Sequence, residues 1–270
     1  MRLLGRTHQF LARFALCARA SIYLRNQAMC IIKYHLGDTS NPENDGELAL
    51  IKTLGEQCAT FIDLGANVGN WTALVLQYGN PHARGVLFEP SQSCFRALTK
   101  RFGERKGLEV VNAAVGVEVG NIEFAEEEEC GLRSSVVASA ASESAVTRFV
   151  PITTLDVEMQ RCGLETIDLL KIDAEGSDFQ VLKGAIRLFE NRAIRIVQFE
   201  YGGAWAAAGS TLAFALKFLR SFEYSTYLLN PKGLMDFDYG LYGEYFGHSN
   251  FVAVLPEAEK IVSHLRAGRI

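Results

Sequence analysis

Short apolar runs, each closing on an acid, recur along the chain and alternate with stretches of helical periodicity. Phe61-Ile62-Asp63-Leu64 runs into the turn Gly65-Ala66-Asn67-Val68-Gly69-Asn70, and residues 71–76 read as the first turns of a helix. Gly85-Val86-Leu87-Phe88 ends in Glu89-Pro90, with a helix from Ser91 to about Phe102 behind it. A third strand over 108–115 ends at Gly116, and a short strand follows over 120–125. Ile167-Asp168-Leu169-Leu170-Lys171-Ile172-Asp173 is almost continuously apolar apart from its ends and Lys171, the pattern of a parallel strand covered on both faces. A helix over 179–185 comes next, and the strand 193–199 again closes on an acid, Glu200. Strands alternating with helices in this way predict an α/β fold on a mostly parallel sheet.

The flanking segments read differently. Residues 1–36 are mainly helical with interleaved arginines, and 37–46 is a turn-rich connector, Asn41-Pro42-Glu43-Asn44-Asp45-Gly46. A short helix over 47–54 precedes the first strand. The four acids at 126–129 fit a solvated loop better than a metal site, because nothing there fixes ligand geometry. Residues 130–145, rich in Ala and Ser, form a surface excursion that returns through a segment at 148–152 and a helix at 155–159. An amphipathic helix over 211–222 leads to two late strands, 224–229 and 250–255, separated by a Gly/Tyr-rich loop. A helical turn over 261–265 closes the chain. The division predicted is a helical extension and connector, 1–46, ahead of one large α/β domain, 47–270.

Charge sharpens that division. The net charge of -4 hides a segment, 1–36, that carries Arg2, Arg6, Arg13, Arg19, Arg25 and Lys33 and no acid, so the remainder is strongly acidic. An acidic body argues against general nucleic-acid binding, which rests on phosphate neutralisation. The basic segment is expected to cap the domain or pack on a second subunit in a homo-oligomer. Contact with a membrane surface is the competing expectation, since basic charge beside an apolar face suits anionic lipid. Cys17, Cys30, Cys58, Cys94, Cys130 and Cys162 show no close pair, which fits free thiols in the cytoplasm rather than a disulfide framework or a zinc site. The chain has no apolar run of about 18 residues, the least a membrane span requires.

Asp63, Glu89, Asp173 and Glu200 all fall at strand ends, and ligands of open parallel sheets bind beyond those ends. Glycines at 65 and 69 allow a tight turn and a close approach of ligand to backbone. Glu89 follows Asp63 by 26 residues, close to the spacing at which a second strand tip offers an acid to ribose hydroxyls.

Phe61–Gly69, Val86–Pro90 and Ile167–Gly176 followed by Val181-Leu182-Lys183-Gly184-Ala185 strongly resemble the FkbM family of S-adenosylmethionine-dependent methyltransferases. Thr154-Leu155-Asp156 and Gly131-Leu132-Arg133-Ser134-Ser135 fit its intervening segments, and the resemblance spans roughly 45–255. It implies the class I methyltransferase fold, a Rossmann-like three-layer sandwich whose seven-stranded, mostly parallel sheet has its last strand inserted antiparallel. It implies S-adenosylmethionine as cofactor, with Asp63, Gly65, Asn67 and Gly69 in the cofactor loop. Glu89 and Pro90 would then face the ribose, Ala114 would lie near the adenine, and Asp173 and Glu175 would border the methyl group. Most members look like O-methyltransferases of sugar or natural-product hydroxyls. Where the family usually has His-Glu, this chain has Ser177-Asp178, so any role of that histidine is absent here or is taken up elsewhere, with His248 as the candidate.

Methyl transfer to oxygen needs orientation and a place for the hydroxyl proton, and Asp173, Glu175 and His248 are the candidate acceptors. Ser177, Glu200, Tyr201, Trp205 and Tyr245 are the candidates to contact a small hydroxylated acceptor, with Tyr239 and Tyr242 on the same loop as Tyr245. A nicotinamide-dependent oxidoreductase is the competing enzyme class, but Asp63-Leu64-Gly65-Ala66-Asn67-Val68-Gly69 lacks the middle glycine of the G-x-G-x-x-G fingerprint. A third reading keeps the fold as an inactive binding or scaffold module. No residue cluster demands a metal.

Overall fold

The computed structural model describes residues 2–37, 45–126 and 146–269. The acids at 127–129, Cys130, the segment Gly131–Ser135 and most of the connector lie outside the described residues. In chain order, α1 (Arg2–Leu11) and α2 (Ala15–His35) precede α3 (Glu47–Leu54), β1 (Thr60–Leu64), α4 (Asn70–Tyr78), β2 (Arg84–Phe88), α5 (Gln92–Phe102) and β3 (Leu108–Val111). Three strands follow, β4 (Ala114–Val115), β5 (Gly120–Glu126) and β6 (Val146–Thr153), then α6 (Leu155–Cys162), β7 (Ile167–Ile172), α7 (Asp178–Lys183), α8 (Ile186–Glu190) and β8 (Ile194–Tyr201). The remainder is α9 (Ala204–Ala207), α10 (Leu212–Ser221), β9 (Ser225–Asn230), β10 (Gly233–Asp236), α11 (Tyr239–Tyr242), β11 (Ser249–Val254), α12 (Glu259–Val262) and β12 (Arg266–Arg269).

The alternation of buried side chains along the central strands separates two apolar layers. Ile62, Leu170 and Val197 face one layer, under α6, α7, α8 and α10; Phe61, Leu169 and Ile196 face the other, under α3, α4, α5 and α12. All six residues of β7 are buried, as its continuous apolar run requires. The main sheet runs β12-β10-β9-β11-β8-β7-β1-β2-β3. β1 pairs parallel with both β2 and β7, β7 pairs parallel with β8, and β11 runs antiparallel between β8 and β9. Strand order reverses at β1/β7, and this switch point opens a crevice at the carboxyl ends of the strands.

The class I arrangement is therefore present, but the sheet has nine strands where seven are expected. β10 folds back on β9 as a hairpin, and β12 adds to its far side in the same direction as β10. β10 falls within the predicted loop, and β12 follows directly on the predicted helical turn, which is itself helical over 259–265. Each is only four residues long and carries a glycine, so neither shows a period-two pattern. The third predicted strand also divides: β3 ends at Val111, and Ala114–Val115 joins a separate three-stranded sheet with β5 and β6.

At the opposite, amino end of the sheet, Asp168 ties three strands together. Its Oδ2 accepts from the amides of Ala59 and Thr60 and from Thr60 Oγ1, and its Oδ1 pairs with Arg195 at 2.8 Å. Asp168→Ala strips partners from two backbone amides and a guanidinium, and loss of partners at such a site costs about 1–3 kcal/mol. Urea denaturation should show a fall of about that size with an unchanged m value.

Candidate active site

The loop between β1 and α4 takes its shape from two left-handed glycines. Gly65 has φ +76, and a Cβ there would lie 1.9 Å from the Asp173 carbonyl oxygen across the crevice. Only glycine fits that contact. Gly65 and Ala66 amides both donate to the Phe88 carbonyl, and Gly69, at φ +79, starts α4 and donates to Ala66. Asn67 itself sits at φ 50, a conformation asparagine tolerates better than most residues. Beneath the loop, Asp63 is fully buried and its Oδ2 accepts from Thr72 Oγ1 at 2.6 Å. Burial pushes the Asp63 carboxyl up from its ordinary value.

Glu89, at the tip of β2, is also nearly buried, and its two carboxylate oxygens are fixed by backbone. Oε2 accepts from the Asn67 amide at 2.7 Å and Oε1 from the Ser91 amide at 2.8 Å. Each oxygen keeps a second lone pair, so the carboxylate can still accept a vicinal diol. Burial raises its pKa to about 7, against the lowering effect of the Ser91 and Asn67 amides.

These groups border a cavity of about 450 Å³ at the switch point. Its apolar end is walled by Phe88, Cys94, Ala113, Ala114 and Phe124, with Pro90 at the edge. Its polar end contains Asp45, Glu47, Lys171, Asp173, Glu175, Glu200 and Asn250. Lys171 Nζ donates to Asp173 Oδ2 at 2.9 Å and lies 5.8 Å from the centre of the Trp71 ring. Burial works against this ammonium, but Asp173, Glu47 and Asp63 outweigh it and push the Lys171 pKa up. Glu47 and Gln198 are hydrogen-bonded, and Gln198 also reaches Asn250. Burial raises the carboxyls of Asp45 to about 6 and Glu47 to about 7.

The wall after β7 is a strained turn. Glu175 has φ 48, unusual for its type, and lines the cavity with Ser177. Asp178 is fully buried and accepts from the amides of Ala174 and Gly176, so the acid of this segment holds the turn rather than a ligand. Burial, then the nearby Glu200 and Asp173, raises its pKa well above the ordinary value.

Of the residues expected here, Gly65, Asn67, Glu89, Pro90, Ala114, Asp173, Glu175, Ser177 and Glu200 line the one cavity. Asp63 and Gly69 shape the loop from behind. Tyr201, Trp205 and Tyr245 do not face an acceptor; this is a correction. All three are almost fully buried in one aromatic cluster, with ring centroids 5.3 Å apart for Tyr201–Trp205 and 5.1 Å for Tyr201–Tyr245. The Tyr201 hydroxyl donates to Glu244, which also takes the amides of Leu212 and Ala213 and the Tyr239 hydroxyl. His248 stands behind the cavity wall, its Nε2 3.3 Å from Glu200 Oε2. Among the described residues no group of His, Cys, Asp and Glu is arranged to hold a metal ion.

Asp45, Glu47, Lys171 and Gln198 were not expected. The signal for two of them is present in the strands. Asp63, Lys171 and Gln198 are register neighbours across β1, β7 and β8, each the polar interruption of an apolar run. Each stands two residues before a cavity-lining position, Gly65, Asp173 and Glu200.

The site also fits a cationic nucleoside ligand. Six carboxylates and one amine line the cavity among the described residues, and the Glu89 carboxylate oxygens keep lone pairs for a diol. The family described as "Methyltransferase FkbM domain" matches residues 63–226, more than half of the chain. "Methyltransferase sdnD" of Sordaria araneosa is 30% identical over 154 residues, covering 46% of this chain and 59% of that protein. The chain thus spans well under two thirds of that relative. Among solved structures, the O-methyltransferase TomG from Streptomyces achromogenes, in complex with SAM, is 13% identical with a TM-score of 0.40, covering 80% of this chain and 81% of its own. The precorrin-6y C5,15-methyltransferase from Geobacter metallireducens is 11% identical with a TM-score of 0.42, covering 77% of this chain and 87% of its own. By the extent of the domain match, and with the motif residues gathered at one cavity, the chain belongs to the FkbM methyltransferase family.

Proposed function

We propose that the chain methylates a hydroxyl oxygen of a small sugar-like or natural-product acceptor, with S-adenosylmethionine as donor. The observation that carries this reading is Asp173, a carboxylate anchored by Lys171 on the wall of a cavity with a surplus of acids. When bound, S-adenosylmethionine supplies an electrophilic methyl group on a sulfonium centre. Glu89 accepts the ribose hydroxyls, and the apolar end by Ala113, Ala114 and Phe124 takes the base. The carboxylates around the polar end attract a cation, which favours binding more than the chemical step, because the positive charge falls in the transition state.

Lys171 fixes one oxygen of Asp173 and leaves the other for the acceptor. In this reading Asp173 accepts a hydrogen bond from the acceptor hydroxyl, orients its lone pair, and receives its proton as the oxygen becomes bonded to carbon. Glu175 and Ser177 border the acceptor on the turn after β7. His248, engaged with Glu200, supports that wall from outside.

Asp173→Asn keeps the shape and removes the proton acceptor. Turnover measured with labelled methyl donor should fall by about 10²–10⁴, while cofactor affinity by calorimetry changes far less. Full turnover with unchanged affinity would remove Asp173 from this role.

The pH dependence follows from Glu89. Its folded pKa, about 7, lies above the ordinary 4.5, so its protonated form favours the unliganded fold, and that contribution fades as pH rises through 7. A diol ligand needs the carboxylate, so its affinity moves the other way. S-adenosylmethionine binding should strengthen up to about tenfold between pH 6 and 8, with Glu89→Gln binding more weakly and with a flatter profile. An unchanged profile in the variant would place the ribose elsewhere.

A further inference from the structure

Only the carboxyl end of α2 packs on the domain. Met29 and Ile32 of α2 pack against the apolar core, Leu36 is fully buried, and the His35 ring lies 6.4 Å from that of Tyr242. No residue of α2 is itself buried, and toward its amino end the helix stands clear of the body. Leu16, Ala20, Tyr23, Leu24, Gln27, Ile31 and Tyr34 fall within a sector of about 100° of its circumference. That sector lies opposite the Met29–Ile32 side, and only Gln27 interrupts its apolar surface. Leu16 is 79% exposed, Leu24 66% and Ile31 70%. Phe10, Leu11 and Phe14 are exposed as well, around the break between α1 and α2.

We propose that this face lies on an anionic lipid surface, with α2 in the plane of the interface. Charge chooses the occupant. The segment 1–36 has six Arg and Lys residues and no acid, and Arg19 and Lys33 flank one margin of the apolar sector. Pairing two such helices from separate copies sets like charges together with no carboxylate between them. A bilayer with anionic headgroups takes the apolar stripe and the flanking cations together. The strongly acidic remainder of the chain is repelled by the same surface, which leaves the helix as the part that approaches. No described helix is long and apolar enough to cross a membrane, so the contact is interfacial. The inference does not depend on the methyltransferase reading.

The test is flotation of the whole chain with phosphatidylcholine vesicles, alone or with about one-quarter phosphatidylglycerol. The protein should float with the anionic vesicles and not with the neutral ones, and added salt should release it. Leu24→Ser with Ile31→Ser should lower partitioning by tenfold or more, roughly the loss of two buried apolar side chains. Leu16→Ser with Tyr23→Ser should act alike, and Arg19→Ser should weaken binding about fivefold. Every substituted side chain is exposed, so thermal transitions should match the wild type. Failure of the wild type to float, or flotation of both double variants to the same extent as the wild type, overturns the proposal. So does sedimentation velocity that shows a lipid-free dimer lost in the double variants, because the face would then belong to a second copy.

Discussion

The contact between the tips of β1 and β7 is the constraint from which the site follows. The Asp173 amide donates to the Leu64 carbonyl, and the Asp173 carbonyl comes so near Gly65 that no side chain fits between them. This closeness joins the glycine loop and the strand carrying Lys171 and Asp173 along one seam. Parallel pairing then sets the register, with Asp63 opposite Lys171 and Lys171 opposite Gln198. A slip of one residue in β7 would turn Lys171 to the other face of the sheet, away from Asp63 and Gln198. The polar row beneath the cavity is therefore a product of strand register, not of local sequence.

That row explains how a lysine survives in a strand buried along its whole length. An isolated buried ammonium would lose its proton, since low polarity penalises the charged form. Lys171 retains it because Asp173, Glu47 and Asp63 surround it, and the face of Trp71 adds to the attraction. The compensation is one-sided. A single ammonium does not offset the cost of burying the remaining carboxylates, and burial leaves Glu47, Asp45 and Glu89 with raised pKa values.

The fold was readable where periodicity was long and pure. β1, β2, β7 and β8 each show as an apolar run closing on a polar tip, and the acids at those tips locate the crevice. β10 and β12 left no such trace, because a four-residue edge strand is shorter than the pattern that would reveal it. The site was readable in the glycine loop and at Glu89, whose places on the cavity follow from position along the chain. It was not readable at Asp45 and Glu47, which come from the segment before β1 and meet Lys171 only through tertiary packing. Tyr201 and Tyr245 show the opposite failure. Aromatic residues beside a strand tip resemble a stacking platform, and only the structure reveals that Tyr201 turns inward onto Trp205 and Tyr245 onto Tyr201, leaving Glu244 to bind the Tyr201 hydroxyl.

The raised carboxyls also link stability to function. Protons on Glu89, Glu47 and Asp45 relieve the cost of burying their carboxylates at the cavity. A cation in the cavity offsets the same cost without those protons, so cation and proton compete. Near neutral pH, where Glu47 and Glu89 titrate, neither form is strongly preferred and ligand binding decides the balance.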